Sequence, residues 1–183
     1  MKELSLNILD ITENSVKAGA TLTEIIIDET DEKLTVKIKD DGCGMDEETV
    51  KRVINPFYTT RTTRKVGLGI PFYKLVAEQT GGSLLIDSKC QKEFPENHGT
   101  MLTAVFYKNH IDFTPLGDIV ATLTTLIQGH PDTDFLFRHT KGENFVELDT
   151  RLLRETLGDE VPLSTYEVIK WIEEFLKEQY INL

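Results

Sequence analysis

Residues 33–45, KLTVKIKDDGCGM, read as a strand running into a glycine turn. Leu34, Val36 and Ile38 alternate with polar residues, and Asp40-Asp41-Gly42-Cys43-Gly44-Met45 follows at once. Upstream, Thr23–Asp28 with its consecutive isoleucines predicts a partner strand, joined through the turn Glu29-Thr30-Asp31-Glu32. Before that, Leu4, Ile8, Ile11, Ser15 and Ala18 recur at helical spacing and Gly19 is placed to stop the helix, so residues 3–18 read as helical. Downstream, the pattern predicts a short helix over Asp46–Val53 and an irregular stretch over Asn55–Val66. A helix over Gly69–Thr80, stopped by Gly81-Gly82, leads to strands over Leu84–Ser88 and Thr100–Tyr107. This order predicts an α+β fold: a two-layer α/β sandwich with a mixed, mostly antiparallel sheet and helices on one face.

The chain has 183 residues, 39% of them hydrophobic, enough for one core with a small appended segment. Its 31 acidic against 20 basic residues give a formal charge of -11, which opposes binding to a phosphate backbone or an anionic membrane. No apolar run approaches the roughly 18 residues of a spanning helix, and the start lacks the basic-then-apolar layout of a secretion signal. A soluble, cytoplasmic protein is therefore expected, with neither nucleic acid nor membrane as partner. Cys43 and Cys90 lie in no CxxC or Cys/His spacing and read as two reduced thiols. The excess acidity is concentrated after residue 110, and a boundary is placed between Asn109 and Pro115. Residues 1–110 are thus expected to form one domain and 111–183 a small α/β C-terminal extension.

Three segments carry chemistry. Asp10, Asn14 and Lys17 fall at i, i+4 and i+7, so one helix face presents a carboxylate, an amide oxygen and an ammonium. An amide oxygen suits a hard cation such as Mg²⁺, which fills its other positions with water and phosphate oxygens, and Lys17 suits a phosphate. In the glycine turn an aspartate can accept the exocyclic amine of a purine, while glycines let backbone approach a flat ligand. Finally, Lys65-Val66-Gly67-Leu68-Gly69-Ile70 opens a helix whose free N–H groups favour phosphate, and Arg61, Arg64 and Lys65 add cationic charge ahead of it. Neither a Walker loop nor a GxGxxG pattern occurs.

Taken in order, these segments resemble the superfamily of ATPases that includes sensor histidine kinases, Hsp90, type II topoisomerases and MutL-like mismatch-repair proteins. Ile8–Ala20 resembles its N box, Asp41-Gly42-Cys43-Gly44 its first glycine box, Asn55-Pro56-Phe57-Tyr58-Thr59-Thr60 its F box, and Gly67-Leu68-Gly69 its second glycine box. Gly99-Thr100 resembles the closing Gly-Thr, and the likeness spans about residues 4–108. It implies a Bergerat-type ATP site: Asn14 on Mg²⁺, Asp41 on the adenine amine, Gly42 and Gly44 shaping the base pocket, and Thr100 near the base. Gly67 to Gly69 would wrap the phosphates, Phe57 would order the lid, and Arg61 or Arg64 would reach the terminal phosphate. Lys17, Met45, Thr60, Lys65, Val66 and Leu68 complete the implied ATP-contacting set.

The likeness has departures. Asp10 stands where the kinases carry asparagine and the topoisomerase and MutL-like branch a catalytic glutamate, which makes Asp10 the candidate general base. Lys65 replaces the usual first glycine of the second glycine box. His98, His110, His130 and His139 all lack the context of a phosphoacceptor, and the N box begins almost at residue 1, so the acceptor is expected on another protein. The leading expectation is a Mg-ATP-dependent, kinase-like signalling module acting on a partner protein. The alternatives are a non-catalytic ATP-dependent switch and a slow ATP hydrolase. In residues 111–183, Pro115–Gly129 and Ser164–Tyr180 read as helices, and Phe135–Thr140 with Phe145–Leu148 as a hairpin around Gly142. Their apolar stripes are expected to cover the sheet or form a satellite core, with a docking surface as the alternative role.

Overall fold

The structure, a computed structural model, describes residues 3–55, 68–158 and 161–183. Helix α1 (Leu4–Lys17) buries Leu4, Ile8, Ile11 and Ser15 along one stripe. Full burial of each such leucine or isoleucine contributes about 1.5–3 kcal/mol. Strands β1 (Leu22–Glu29) and β2 (Lys33–Asp40) pair antiparallel with Ile25 opposite Ile38 and Ile27 opposite Val36. Alternation along β2 turns Leu34, Val36, Ile38 and also Asp40 inward. On the other face, Lys37 and Lys39 reach across to Asp28 and Glu24 at 3.6 and 2.8 Å, so that face stays in water.

Helices α2 (Glu47–Ile54) and α3 (Gly69–Gln79) follow, then strands β3 (Ser83–Lys89) and β4 (Gly99–Tyr107). Beyond them come α4 (Ile119–Gly129), β5 (Asp134–Lys141), β6 (Asn144–Asp149), α5 (Thr150–Leu157) and α6 (Tyr166–Tyr180). The sheet order is β3-β4-β2-β1-β5-β6, and every neighbouring pair is antiparallel except β1 with β5. The result is an α+β sandwich with a mixed, mostly antiparallel sheet and helices on one face. Among the described residues, no helix is long and apolar enough to cross a membrane.

The segment after residue 110 packs on the sheet, the first of the two arrangements expected for it, and differs from the sequence reading in two of its helices. Its hairpin extends the sheet along the free edge of β1, and its buried residues, such as Leu123, Phe137 and Ile172, belong to the same core as Ile8 and Ile25. Helix α4 begins at Ile119 and not at Pro115, because the carbonyls of Pro115 and Leu116 accept the N–H groups of Leu4 and Ser5 at 2.9 and 2.8 Å. Those two acceptors satisfy orphan donors of α1, and the Asp118 carboxylate then caps α4 through the Ala121 N–H. Helix α5 has no counterpart in the sequence reading: it is two turns long, with only Thr150 buried and Leu153 packed against the core.

At the opposite end of the sheet from the glycine turn, a buried polar knot ties this segment down. Glu29 accepts from Lys108 Nζ at 2.6 Å and from His139 Nε2 at 3.2 Å, and His139 Nδ1 meets the Tyr180 hydroxyl at 3.0 Å. Burial pushes the His139 pKa below its ordinary 6.5, outweighing the pull of the Glu29 carboxylate. At neutral pH the imidazole is therefore uncharged, accepting a hydrogen bond from the Tyr180 hydroxyl at Nδ1 and donating one from Nε2 to Glu29. Between that lowered value and 6.5 the unfolded chain binds more protons, so stability rises with pH across this window and is lost as pH falls through it. Urea denaturation at pH 7.5 and 5.5 is expected to show a loss of up to about 1.4 kcal/mol per pH unit inside the window, and His139→Gln is expected to remove that slope.

Candidate active site

The register of four strands lines up Thr23, Asp40, Thr100 and Ser88 as one polar row on the helix-covered face. The next row along is wholly apolar: Ile25, Ile38, Leu102 and Ile86. Helix α1 crosses above the boundary between the rows, and a cleft of about 350 Å³ opens there. Its walls are apolar, from Ile11 of α1, Ala18 just after that helix, Met45, Val53 of α2 and Ile70 of α3. The polar groups that converge on it are Asn14, Ser15, Asp40 and Thr100. Apolar walls with a few placed polar groups suit a flat heterocycle.

Asp40 is only 9% exposed and is held from two sides. The Ser15 hydroxyl donates to one carboxylate oxygen at 2.7 Å and the Gly42 N–H to the other at 3.0 Å. A carboxylate has about four acceptor positions, so two are left for a ligand's N–H groups. Next to it, Ser88 Oγ donates to the Gly99 carbonyl at 3.0 Å and accepts the Met45 N–H at 2.8 Å. Its single proton being committed, Ser88 accepts from the Thr100 hydroxyl at 2.8 Å, which leaves the Thr100 oxygen as an acceptor at the cleft.

The glycine turn is fastened at each residue. The Cys43 N–H donates to the Ala18 carbonyl and the Gln91 N–H to the Cys43 carbonyl, both at 2.9 Å. His98 Nδ1 lies 2.6 Å from the Gly42 carbonyl, which can only accept, so that nitrogen carries a proton. Gly44 has φ +62°, and a Cβ there would lie 1.9 Å from the Lys89 carbonyl oxygen. Gly42 is buried, its missing Cβ 3.0 Å from that of Ala18.

Asp41, expected at the adenine, does not line this cleft. It is exposed, and its carboxylate takes the N–H groups of Thr21 and Leu22 at 2.7 and 3.0 Å together with the Thr21 hydroxyl. Burial alone would raise its pKa, but the bonds from Leu22 and Thr21 outweigh it and hold the carboxyl below the usual range. The carboxylate that does line the cleft is that of its neighbour Asp40. The signal that finds it is the period of two: Leu34, Val36 and Ile38 point inward, so the next inward position is 40 and not 41. The sequence pattern gives Ser15, Ser88 and His98 no part in the site, and the fold brings all three to it.

The other end of the cleft is formed by the start of α3. A Cβ on Gly69 would lie 3.6 Å from Asp10 Cβ, 3.9 Å from its Oδ2 and 4.0 Å from Asn14 Nδ2, so Asp10 and Asn14 face the first turn of this helix. Free N–H groups there favour anionic oxygens. Lys17 is turned away, exposed and paired with Glu13 at 3.8 Å, and Leu68 is 71% exposed. Phe57, Thr60, Arg61, Arg64, Lys65, Val66 and Gly67 lie outside the described residues. Among the described residues no group of three or more His, Cys, Asp or Glu side chains could hold a metal. A lone amide oxygen at Asn14, completed by phosphate and water oxygens, nevertheless fits the way Mg²⁺ is held beside nucleotides.

Residues 2–113 match the family described as histidine kinase-, DNA gyrase B- and HSP90-like ATPases, and the chain belongs to that family. Sensor histidine kinase YvrG of Bacillus subtilis is 34% identical over 101 residues, covering 52% of this chain and 16% of that protein. Sporulation kinase C of Bacillus subtilis is 29% identical over 92 residues, covering 50% of this chain and 21% of its own length. The chain thus spans about a fifth or less of these relatives. Among solved structures, the Aquifex aeolicus MutL ATPase domain complexed with ADP has the same fold at a TM-score of 0.55. Its sequence is 14% identical, and the likeness covers 86% of this chain and 68% of that one.

The fit of Gly44 has a direct test. Gly44→Ala is expected to destabilise the fold by at least about 2 kcal/mol, from positive φ and the clash with a backbone carbonyl, read as a lowered urea midpoint with unchanged slope.

Proposed function

We propose that this chain is a Mg-ATP-binding, histidine-kinase-like module that acts on a partner protein as a kinase or signalling component. The observation that carries the reading is the buried Asp40 carboxylate at the floor of an apolar cleft whose far end joins Asp10, Asn14 and the start of α3. Asp40 accepts the exocyclic amine of the base, and the Thr100 oxygen takes a further donor. Ile38, Met45 and Ile86 enclose the ring and exclude water. Asn14 and the N–H groups of α3 hold the cation and phosphate end, and Asp10 stands beside them as the candidate proton acceptor. When bound, ATP supplies a transferable phosphoryl group and Mg²⁺ neutralises its oxygens, so the protein's share is mainly positioning and electrostatics. Residues 1–110 serve in this reading as the ATP-binding domain and 111–183 as its C-terminal extension.

A second reading, an ATP-dependent switch without turnover, is favoured by one contact. Glu13, the residue before Asn14, accepts from His130 Nε2 at 2.7 Å, so the helix at the nucleotide is fastened to the segment beyond residue 110. Labelled-phosphate transfer to co-purifying proteins separates the two: transfer identifies a kinase, and binding without transfer or release of phosphate a switch.

Binding itself is tested by thermal melting. An ATP analogue with Mg²⁺ at about 100 times its Kd is expected to stabilise the chain by about 2.7 kcal/mol. Asp40→Ala is expected to abolish that rise, whereas Asp41→Ala lowers the melting temperature of the free chain and keeps the rise. Asn14→Ala is expected to remove the part that depends on Mg²⁺. No rise at millimolar nucleotide would overturn the reading.

A further inference from the structure

We infer that Cys43 and Cys90 form a dithiol/disulfide pair at the rim of the cleft. They are the two cysteines of the chain, lie in unrelated stretches of sequence, and are both free thiols. The fold puts them on either side of a single backbone hydrogen bond, from the Gln91 N–H to the carbonyl of Cys43 itself, at 2.9 Å. Standard peptide dimensions across such a bond allow the Cα atoms of 43 and 90 a separation of about 5–6 Å. That falls inside the roughly 4.4–6.8 Å a disulfide spans. The spacing is fixed by packing on the next residue as well, because Gly44 lies so close to the Lys89 carbonyl that no Cβ fits between them. Cys43 is exposed and Cys90 half-buried, so an oxidant in solution reaches the pair.

The step is thiol–disulfide exchange with a small-molecule disulfide. One thiol loses its proton and attacks the oxidant, expelling one small thiol and leaving a mixed disulfide. The second then attacks the protein sulfur of that bond and expels the other small thiol. The protein gives up two electrons and two protons, and the oxidant is reduced to two thiols. The new bond closes a loop over residues 44–89, which carries Met45, Val53, Ile70 and Ile86 of the cleft wall. Because the backbone spacing already suits the bond, oxidation ties the rim of the cleft in its present shape. In a reducing compartment the pair stays open.

The test uses the full chain with oxidised glutathione, followed by alkylation, mass spectrometry and peptide mapping without reductant. The expected result is a mass lower by two hydrogens, a linked peptide joining Cys43 to Cys90, and a melting temperature raised by several degrees and restored by dithiothreitol. Cys43→Ser and Cys90→Ser, made separately, are each expected to abolish the linked peptide and the rise, so either one suffices if the other fails to fold. Stable glutathione adducts on both thiols, or dimers linked between chains, with no 43–90 peptide, would overturn the inference. The effect on nucleotide rests on the proposed function: affinity for an ATP analogue is expected to change less than twofold on oxidation, and a tenfold loss would overturn the claim that the rim keeps its shape. If the reduced chain binds no nucleotide, the ATP reading falls and the mass spectrum still decides the disulfide.

Discussion

A buried carboxylate is tolerated only where hydrogen bonds replace the water it gave up, and Asp40 organises its surroundings for that reason. Ser15 on α1 and the Gly42 amide supply the two bonds, so the helix and the glycine turn must both stand where they do. The turn can approach because residues 42 and 44 lack side chains, and the approach is locked from the far side by Gln91, His98 and Ser88. One desolvated charge thus couples α1, the end of β2 and the β3–β4 connection into a single rigid cradle. In the proposed function that rigidity serves base recognition, since an acceptor that moves by an ångström no longer selects one donor pattern.

Much of this was legible in the residues. The alternation of Leu34, Val36 and Ile38, the helical spacing of Leu4, Ile8 and Ile11, and the glycines after them carry local physics that survives into the fold. The choice between Asp40 and Asp41 was legible too, but counting back from the glycines misleads where counting forward along the strand does not. Ser88 and His98 were not legible. Their roles come from strand register and from a loop folding back onto Gly42, and both are relations between segments far apart in the chain. The parallel pairing of β1 with β5 is hidden for the same reason: nothing in either strand alone states its neighbour.

The stretch after residue 110 is bound into the molecule by polar as well as apolar contacts. At one end it meets α1 through Pro115, Leu116 and His130, and at the other it meets Glu29 through His139. Any rearrangement of α1 on filling the cleft is therefore felt by α4, which packs along it. The two ends differ in kind. The His130–Glu13 pair is partly open to solvent, whereas the His139 side chain is buried at 3% exposure.

The position of β5 beside β1 also bears on how the chain can be cut. With β5 and β6 removed, the whole far edge of β1, with Ile25 and Ile27 on it, would present bare amide and carbonyl groups next to stripped hydrophobic surface. Such a border is a template for strand exchange with another copy. The first 110 residues, although they hold every part of the cleft, would then be prone to clump on their own. In this molecule the later segment acts as a stopper on the sheet.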